Sequence, residues 1–150
     1  RTAAAGAPLG AAFDGDADRC ILVDDRGEVR DGDAILYLWA TWLHKRGELR
    51  PAKIVATSMS NLGLERALAR EGIGIVRCDV GDRFVVAALQ REGLRLGGEQ
   101  SGHVVDLTLA SDPPGASVSL VRFEDLLRPL GLMELVKTGV VALGRGSNPT

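Results

Sequence analysis

The chain alternates short apolar runs with polar breaks, and two periods are visible in them. Ala11–Phe13 is a short apolar run that stops at Asp14. Cys20–Val23 is another, closed by the turn Asp25-Arg26-Gly27. The pair predicts a strand, a loop and a returning strand. From Asp31-Gly32-Asp33 the period changes. Asp suits a helix N-cap because its carboxylate accepts the unpaired backbone N–H groups of the first turn. A helix is expected from about Ala34 to Arg46, with Ile35, Leu38, Trp39, Trp42 and Leu43 on one face and Gly47 as its stop. Both tryptophans are expected to anchor the core rather than to carry a ligand.

The same grammar repeats downstream. Lys53–Thr57 reads as a buried strand, and Asn61 can cap a helix reaching about Glu71, with Leu62, Leu64, Ala67 and Leu68 apolar. Gly72 ends it. Ile73–Cys78 is the next strand, Gly81-Asp82 opens a third helix ending near Gly93, and Leu94–Leu96 is a short strand that Gly97-Gly98 is expected to break. Strands and helices joined by short connections predict an α/β fold, with a mixed or parallel sheet, flanking helices and right-handed crossovers. In such sheets ligands bind where strands end and helices begin. Three polar loops hold that position here: Ser58–Asn61, Asp79–Arg83 and Gly97–His103.

Composition adds exclusions more than assignments. The 150 residues are 45% hydrophobic and 25% charged, a profile of globular proteins. A formal net charge of −2, with 18 Lys and Arg scattered along the chain, gives no argument for a nucleic-acid or membrane partner. No apolar run approaches the ~18 residues of a membrane span. Cys20 and Cys78 sit in apolar runs and are expected to be buried, reduced thiols, which points to a cytoplasmic setting. The opening Arg1-Thr2-Ala3 has no initiator Met and no signal-peptide core, so the chain is expected to be an internal piece of a longer product.

The sharpest cluster is Asp14-Gly15-Asp16-Ala17-Asp18-Arg19. Alternate carboxylates in a tight loop can converge on one hard cation, and magnesium prefers oxygen ligands in near-octahedral geometry. Arg19 would lie beside the same centre and could fork onto a phosphate. A solvated acidic turn is the bland alternative, and the apolar strands on each side weigh against it. A calcium loop of the EF-hand kind is rejected: it needs Gly where Arg19 stands, Glu where Asp25 stands, and helices rather than strands around it. A phosphatase-type loop, in which an Asp itself is phosphorylated, is the serious rival.

Gly97-Gly98-Glu99-Gln100-Ser101-Gly102-His103 combines glycines with a carboxylate, a hydroxyl and an imidazole. Glycines allow sharp turns and close backbone approach. A carboxylate beside a hydroxyl suits vicinal sugar hydroxyls, although an ordinary Gly-rich turn reads equally well, and His103 alone is more often structural.

Taken together, D-G-D-x-D-R at Asp14–Arg19 and G-E-x-S-G-H at Gly98–His103 resemble the metal loop and the sugar loop of the phosphohexomutase superfamily, in the same order. Met59-Ser60-Asn61-Leu62-Gly63, Val80-Gly81-Asp82-Arg83 and Gln100 resemble the phosphoglucosamine mutase branch rather than its phosphomannomutase relatives. The resemblance spans about Leu9 to Val105. It implies an isomerase that interconverts glucosamine 6-phosphate and glucosamine 1-phosphate through a phosphoserine and a bisphosphorylated sugar. It implies Mg2+ as cofactor, held by Asp14, Asp16 and Asp18, with Arg19 against phosphate. Glu99 and Ser101 would take sugar hydroxyls, and His103, Asp82 and Arg83 would line the site. Its partner would be a phosphorylated amino sugar, with no nucleic acid or membrane involved. A phosphomannomutase or phosphoglucomutase of the same superfamily, or a non-catalytic phosphosugar and magnesium module, are the alternative readings.

The implied repeat-domain fold is incomplete. Residues 1–30 would be the end of a metal-binding domain, 31–107 a sugar-binding domain, and 108–150 an unmatched stretch, divergent or frame-shifted. The family's T-A-S-H-N-P serine loop does not occur in these residues, so the chain alone is expected to be inactive. Phe123–Leu127 could form a short helix.

Overall fold

The computed structural model describes residues 9–15, 18–107 and the backbone of 136–137. The sequence's Phe123–Leu127 helix lies outside them.

The first two runs form the expected hairpin. Strand β1 (Leu9–Phe13) pairs antiparallel with β2 (Cys20–Asp24), Phe13 opposite Cys20, so the acidic loop is the tip that joins them. A third strand, β3 (Val29–Arg30), adds to β2. Side chains alternate as a half-buried sheet demands: Ala11, Phe13, Cys20 and Leu22 face inward. Beyond the first helix, the remaining strands up to residue 107 build a second sheet: β4 (Lys53–Thr57), β5 (Gly74–Cys78), β6 (Leu96–Gly98) and β7 (Val104–Asp106), in the order β5-β4-β6-β7. β4 pairs parallel with β5 and with β6, while β7 returns antiparallel to β6. The last strand, β8 (Val136–Lys137), pairs parallel with β1. This is the mixed α/β architecture that the alternation predicts.

Helix α1 (Gly32–Lys45) lies between the two sheets and begins where expected: Asp31 accepts from the backbone N–H groups of Asp33 and Ala34. Its burial is wider than one stripe. Ile35, Leu36, Trp39, Ala40 and Leu43 are all buried. A helix packed on more than one side needs apolar residues on more than one face. Trp42 is only partly buried, and the Arg46 guanidinium stacks 4.7 Å from its ring centroid. Helix α2 (Leu62–Arg70) is capped by the Asn61 side chain, which accepts from the Gly63 N–H, and α3 (Asp82–Glu92) ends at Gly93.

The core has two compartments, separated by the second sheet. Ile54 and Ala56 of β4 join α1, α2 and the first hairpin. Val55, on the opposite face of the same strand, joins Val85, Ala88 and Leu89 of α3 and Val105 of β7.

Two expectations need correction. Gly97-Gly98 does not break its strand but lies within β6. The backbone is packed so tightly there that a Cβ on Gly98 would stand 2.5 Å from the His103 carbonyl oxygen, and one on Gly97 2.9 Å from the Val55 Cβ. Cys78 is half-buried rather than buried, because β5 is an edge strand and Cys78 is its last residue.

Candidate active site

The tops of β4, β5 and β6 supply three loops, and the β1–β2 tip approaches from the first sheet. Among the described residues they line one cleft of ≈ 590 Å³, formed by Asp18, Arg19, Thr57, Met59, Val80, Gly81, Asp82, Glu99, Gln100, Ser101 and His103.

The Glu99–His103 loop is held mainly by main chain. The Glu99 N–H donates to the His103 carbonyl at 2.8 Å, and the Gly102 N–H donates back to the Glu99 carbonyl at 3.1 Å. The Gly32 N–H, at the start of α1, donates to the Gln100 carbonyl at 3.0 Å. Gly32 has no room for a side chain: a Cβ there would lie 2.0 Å from the Glu99 carbonyl oxygen. Gly102 has φ +98, and a Cβ on it would lie 2.2 Å from the Cys20 carbonyl oxygen. That contact is the seam between the two sheets. The Cys20 N–H donates to the Gly102 carbonyl at 3.0 Å, and Arg19 and His103 form a β-bridge.

Glu99 also reaches the third loop. Its Oε1 accepts from the Gly81 N–H at 2.8 Å, where α3 starts without a side-chain cap. A carboxylate at a helix N-terminus is favoured by the dipole and by the unpaired N–H groups. Asp82 follows in the first turn of that helix.

The acidic tip is organised by charge. The Arg19 Nε lies 3.5 Å from Asp14 Oδ2 and 3.8 Å from Asp18 Oδ1, and the Arg19 N–H donates to Asp14 Oδ1 at 3.2 Å. Asp18 Oδ2 faces the His103 Nδ1 at 3.7 Å. Burial pushes the Asp14 carboxyl upward. The Arg19 N–H, the Asp18 side chain and the Arg19 charge outweigh it and hold the group below the usual carboxylate range.

Of the residues singled out from sequence, Asp18, Arg19, Asp82, Glu99, Ser101 and His103 thus share the cleft. Asp14 pairs with Arg19 but is not among the lining residues, and Asp16 lies outside the described residues. Arg83 is not among the lining residues; its guanidinium stacks 4.6 Å from the ring centroid of Phe84. Among the described residues no group of three acidic, His or Cys side chains converges on a metal position. Asp14 and Asp18 both lie beside the Arg19 Nε, and their carboxylates are hard oxygen donors of the kind magnesium takes. Sequence reasoning missed Thr57 as a lining residue. Its place at the C-terminal end of a central parallel strand is the signal that could have found it. Among the described residues no helix is long and apolar enough to cross a membrane.

The alpha/beta/alpha domain III of phosphoglucomutase/phosphomannomutase matches residues 31–127, which carries the likeness past Val105, where the motifs run out. A phosphoglucosamine mutase of Syntrophomonas wolfei is 48% identical over 126 residues, 84% of this chain but only 28% of that protein. Among solved structures, a phosphoglucomutase/phosphomannomutase family protein from Burkholderia thailandensis aligns with TM-score 0.58 and 33% identity, over 64% of this chain and 20% of its own. The fold is shared further, at TM-score 0.50 and 22% identity, over 77% of this chain and 26% of its own, with an N-acetylphosphoglucosamine mutase of Aspergillus fumigatus solved in complex with GlcNAc-6P and magnesium. With the cleft and these likenesses in agreement, the chain belongs to the phosphoglucomutase/phosphomannomutase family.

Proposed function

We propose that this chain is the part of a phosphoglucosamine mutase that joins the metal loop to the sugar loop. The whole protein would interconvert glucosamine 6-phosphate and glucosamine 1-phosphate through a phosphoserine and a bisphosphate intermediate. The observation that carries this reading is the single cleft in which Asp18 and Arg19 face Glu99, Ser101 and His103. The 48% identity to a phosphoglucosamine mutase supports the sugar assignment over glucose and mannose phosphates.

In this reading Asp14, Asp16 and Asp18 hold Mg2+. The ion, when bound, neutralises charge on the transferring phosphoryl group. Arg19 donates its remaining N–H groups to phosphate oxygens. One Glu99 oxygen is occupied by the Gly81 N–H, which fixes the carboxylate and leaves the other to accept from a sugar hydroxyl. The Ser101 hydroxyl adds a second polar contact to the sugar. His103 braces Asp18 from the sugar side, and Asp82 lines the same cleft. Arg83, stacked on Phe84, would have to swing to reach phosphate. Catalysis of this kind rests on positioning and charge neutralisation, so the rigid loops matter as much as the charged groups.

A coupled assay on the full-length protein tests the proposal. Turnover of glucosamine phosphates is expected. Turnover of mannose or glucose phosphates alone would move the protein to a sister branch. A phospho-aspartate trapped at Asp14 would favour the phosphatase reading instead. Residues 1–150 by themselves are expected to bind magnesium only at millimolar order, because the carboxylates lack a phosphate to complete the set. Asp16→Asn should weaken that binding further in a calorimetric titration.

A further inference from the structure

One wall of the cleft is apolar and exposed. Met59 and Val80 line it and are 64% and 54% exposed, a large apolar surface left open beside Asp18, Arg19, Asp82, Glu99, Ser101 and His103. Met59 does not stand on a loose loop. Its turn leaves the end of β4 and is tied on two sides. The Arg77 Nη1, from β5, donates to the carbonyls of Thr57 and Ser60, both at 2.8 Å. Asp33, from the first turn of α1 and only 7% exposed, accepts the Asn61 N–H on its Oδ2 at 2.8 Å. The Ser60 N–H closes the turn onto the Thr57 carbonyl at 3.1 Å. Two charged side chains from other elements, Arg77 and the buried Asp33, thus hold the five residues Thr57–Asn61, whose one apolar member is Met59.

Such fixing has a cost without a use, since an apolar side chain held in water gains nothing. A pyranose supplies the use. It carries hydroxyls around its edge and C–H groups on its faces, so a site that grips it needs one polar wall and one apolar wall. We propose that Met59 and Val80 take a C–H face of the bound sugar while Glu99 and Ser101 take its hydroxyl edge, and that Asp33 is a positioning residue that holds Met59 there. This rests on the phosphosugar reading above. It adds a specificity contact and a positioning residue that the metal and sugar loops do not contain. A thioether suits the task, being polarizable and able to adjust its shape to a ring.

The test uses the full-length protein. Met59→Gln keeps the length and removes the apolar end, and Met59→Leu restores it. With Met59→Gln the KM for glucosamine phosphate should rise roughly tenfold, the low end of what an apolar contact contributes to selectivity. The kcat should stay within about threefold, the pattern of lost uniform binding. Met59→Leu should bring KM back. Val80→Thr should act in the same direction by a smaller factor. Asp33→Ala should raise KM as well, and the double variant with Met59→Gln should be no worse than Met59→Gln alone, since both act through one side chain. Asp33→Asn, which keeps an acceptor oxygen, guards against simple failure to fold and should resemble wild type. An active wild type whose KM is untouched by Met59→Gln would overturn this inference alone. Effects of Asp33 and Met59 that multiply would remove Asp33 from it. A wild type that turns over no phosphosugar would overturn the functional reading and this inference together.

Discussion

The two loops that meet at the cleft are built in opposite ways. The Glu99–His103 loop is fixed by main-chain hydrogen bonds and by glycines with no space around them. The Asp14–Arg19 tip is held by ion pairs of 3.5 and 3.8 Å, with the Arg19 side chain 57% exposed. On the proposed function, the loop that presents donors and acceptors to the sugar gains from being rigid before the sugar arrives. On the same proposal, the loop that would gather charge around an ion and a phosphate can leave part of its order to those ligands. The Glu99–His103 loop is thus wired into the fold's stability more firmly than the side chains of the acidic tip.

That contrast can be broken most severely at Gly32. Gly32→Ala drives a methyl against the Glu99 carbonyl, and backbone cannot step aside as a flexible side chain can. A loss of about 3 kcal/mol or more, the upper range for overpacking, is expected in urea unfolding. A comparable loss would come from below the sugar loop. Arg95 grips Asp106 through Nε–Oδ1 at 2.9 Å and Nη2–Oδ2 at 3.0 Å, with the Asp106 side chain 1% exposed. Asp106→Ala removes the close partner of that guanidinium, leaves it only the longer Nη1 contacts to Glu48 at 3.3 and 3.4 Å, and should cost about 3 kcal/mol. At the charge side the expectation reverses. Arg19→Ala should leave the unfolding midpoint where it is, because exposed pairs contribute little. Turnover by the full-length protein should fall more than a hundredfold, as for loss of one charge-stabilising donor. A stability loss at Arg19 to match that at Gly32 would erase the distinction between the loops.

The smallest effect concerns the seam itself. Burial pushes the Cys20 thiol up to about 12 from an ordinary 9.0. At pH 8 the native thiolate is therefore scarce, and alkylation of Cys20 should be far slower than that of half-buried Cys78. The Cys20 pKa is higher folded than unfolded. Its contribution to stability is intact below 9.0 and is lost as pH rises from there toward about 12. Unfolding midpoints of wild type and Cys20→Ala at pH 8 and pH 10 would show this, with the wild type losing more over the interval.

How much of this was legible beforehand follows from the range of the interactions. Helix starts at Asp31 and Asn61 and the stop at Gly93 are local chemistry, and they stand where the sequence puts them. The hairpin, β4 and β5 carry their own periodicity, and three loops at strand ends were enough to find the rim. β3 could not be read, since Val29 and Arg30 are both exposed and make only two pairs. β7 hid because Val104–Asp106 is short and ends in an Asp whose burial depends on Arg95, eleven residues away. Gly97 and Gly98 look like a break until the neighbouring strands are present to exclude side chains. In the site, the acidic cluster and Glu99 announce themselves by residue type. The functions of Gly32 and Asp33 do not, because their partners lie in loops brought together only by the sheet.

The bridge between Arg19 and His103 has a consequence for how such a chain can vary over descent. A side chain can change without moving that bridge, but the number of residues in each loop cannot. An insertion on one side slips the pairing by a position and turns Arg19 and His103 to the wrong faces. Gly102 is also moved off the Cys20 carbonyl, against which no side chain fits. Loop lengths on the two sides should therefore be inherited as a matched pair, even where the letters between them drift.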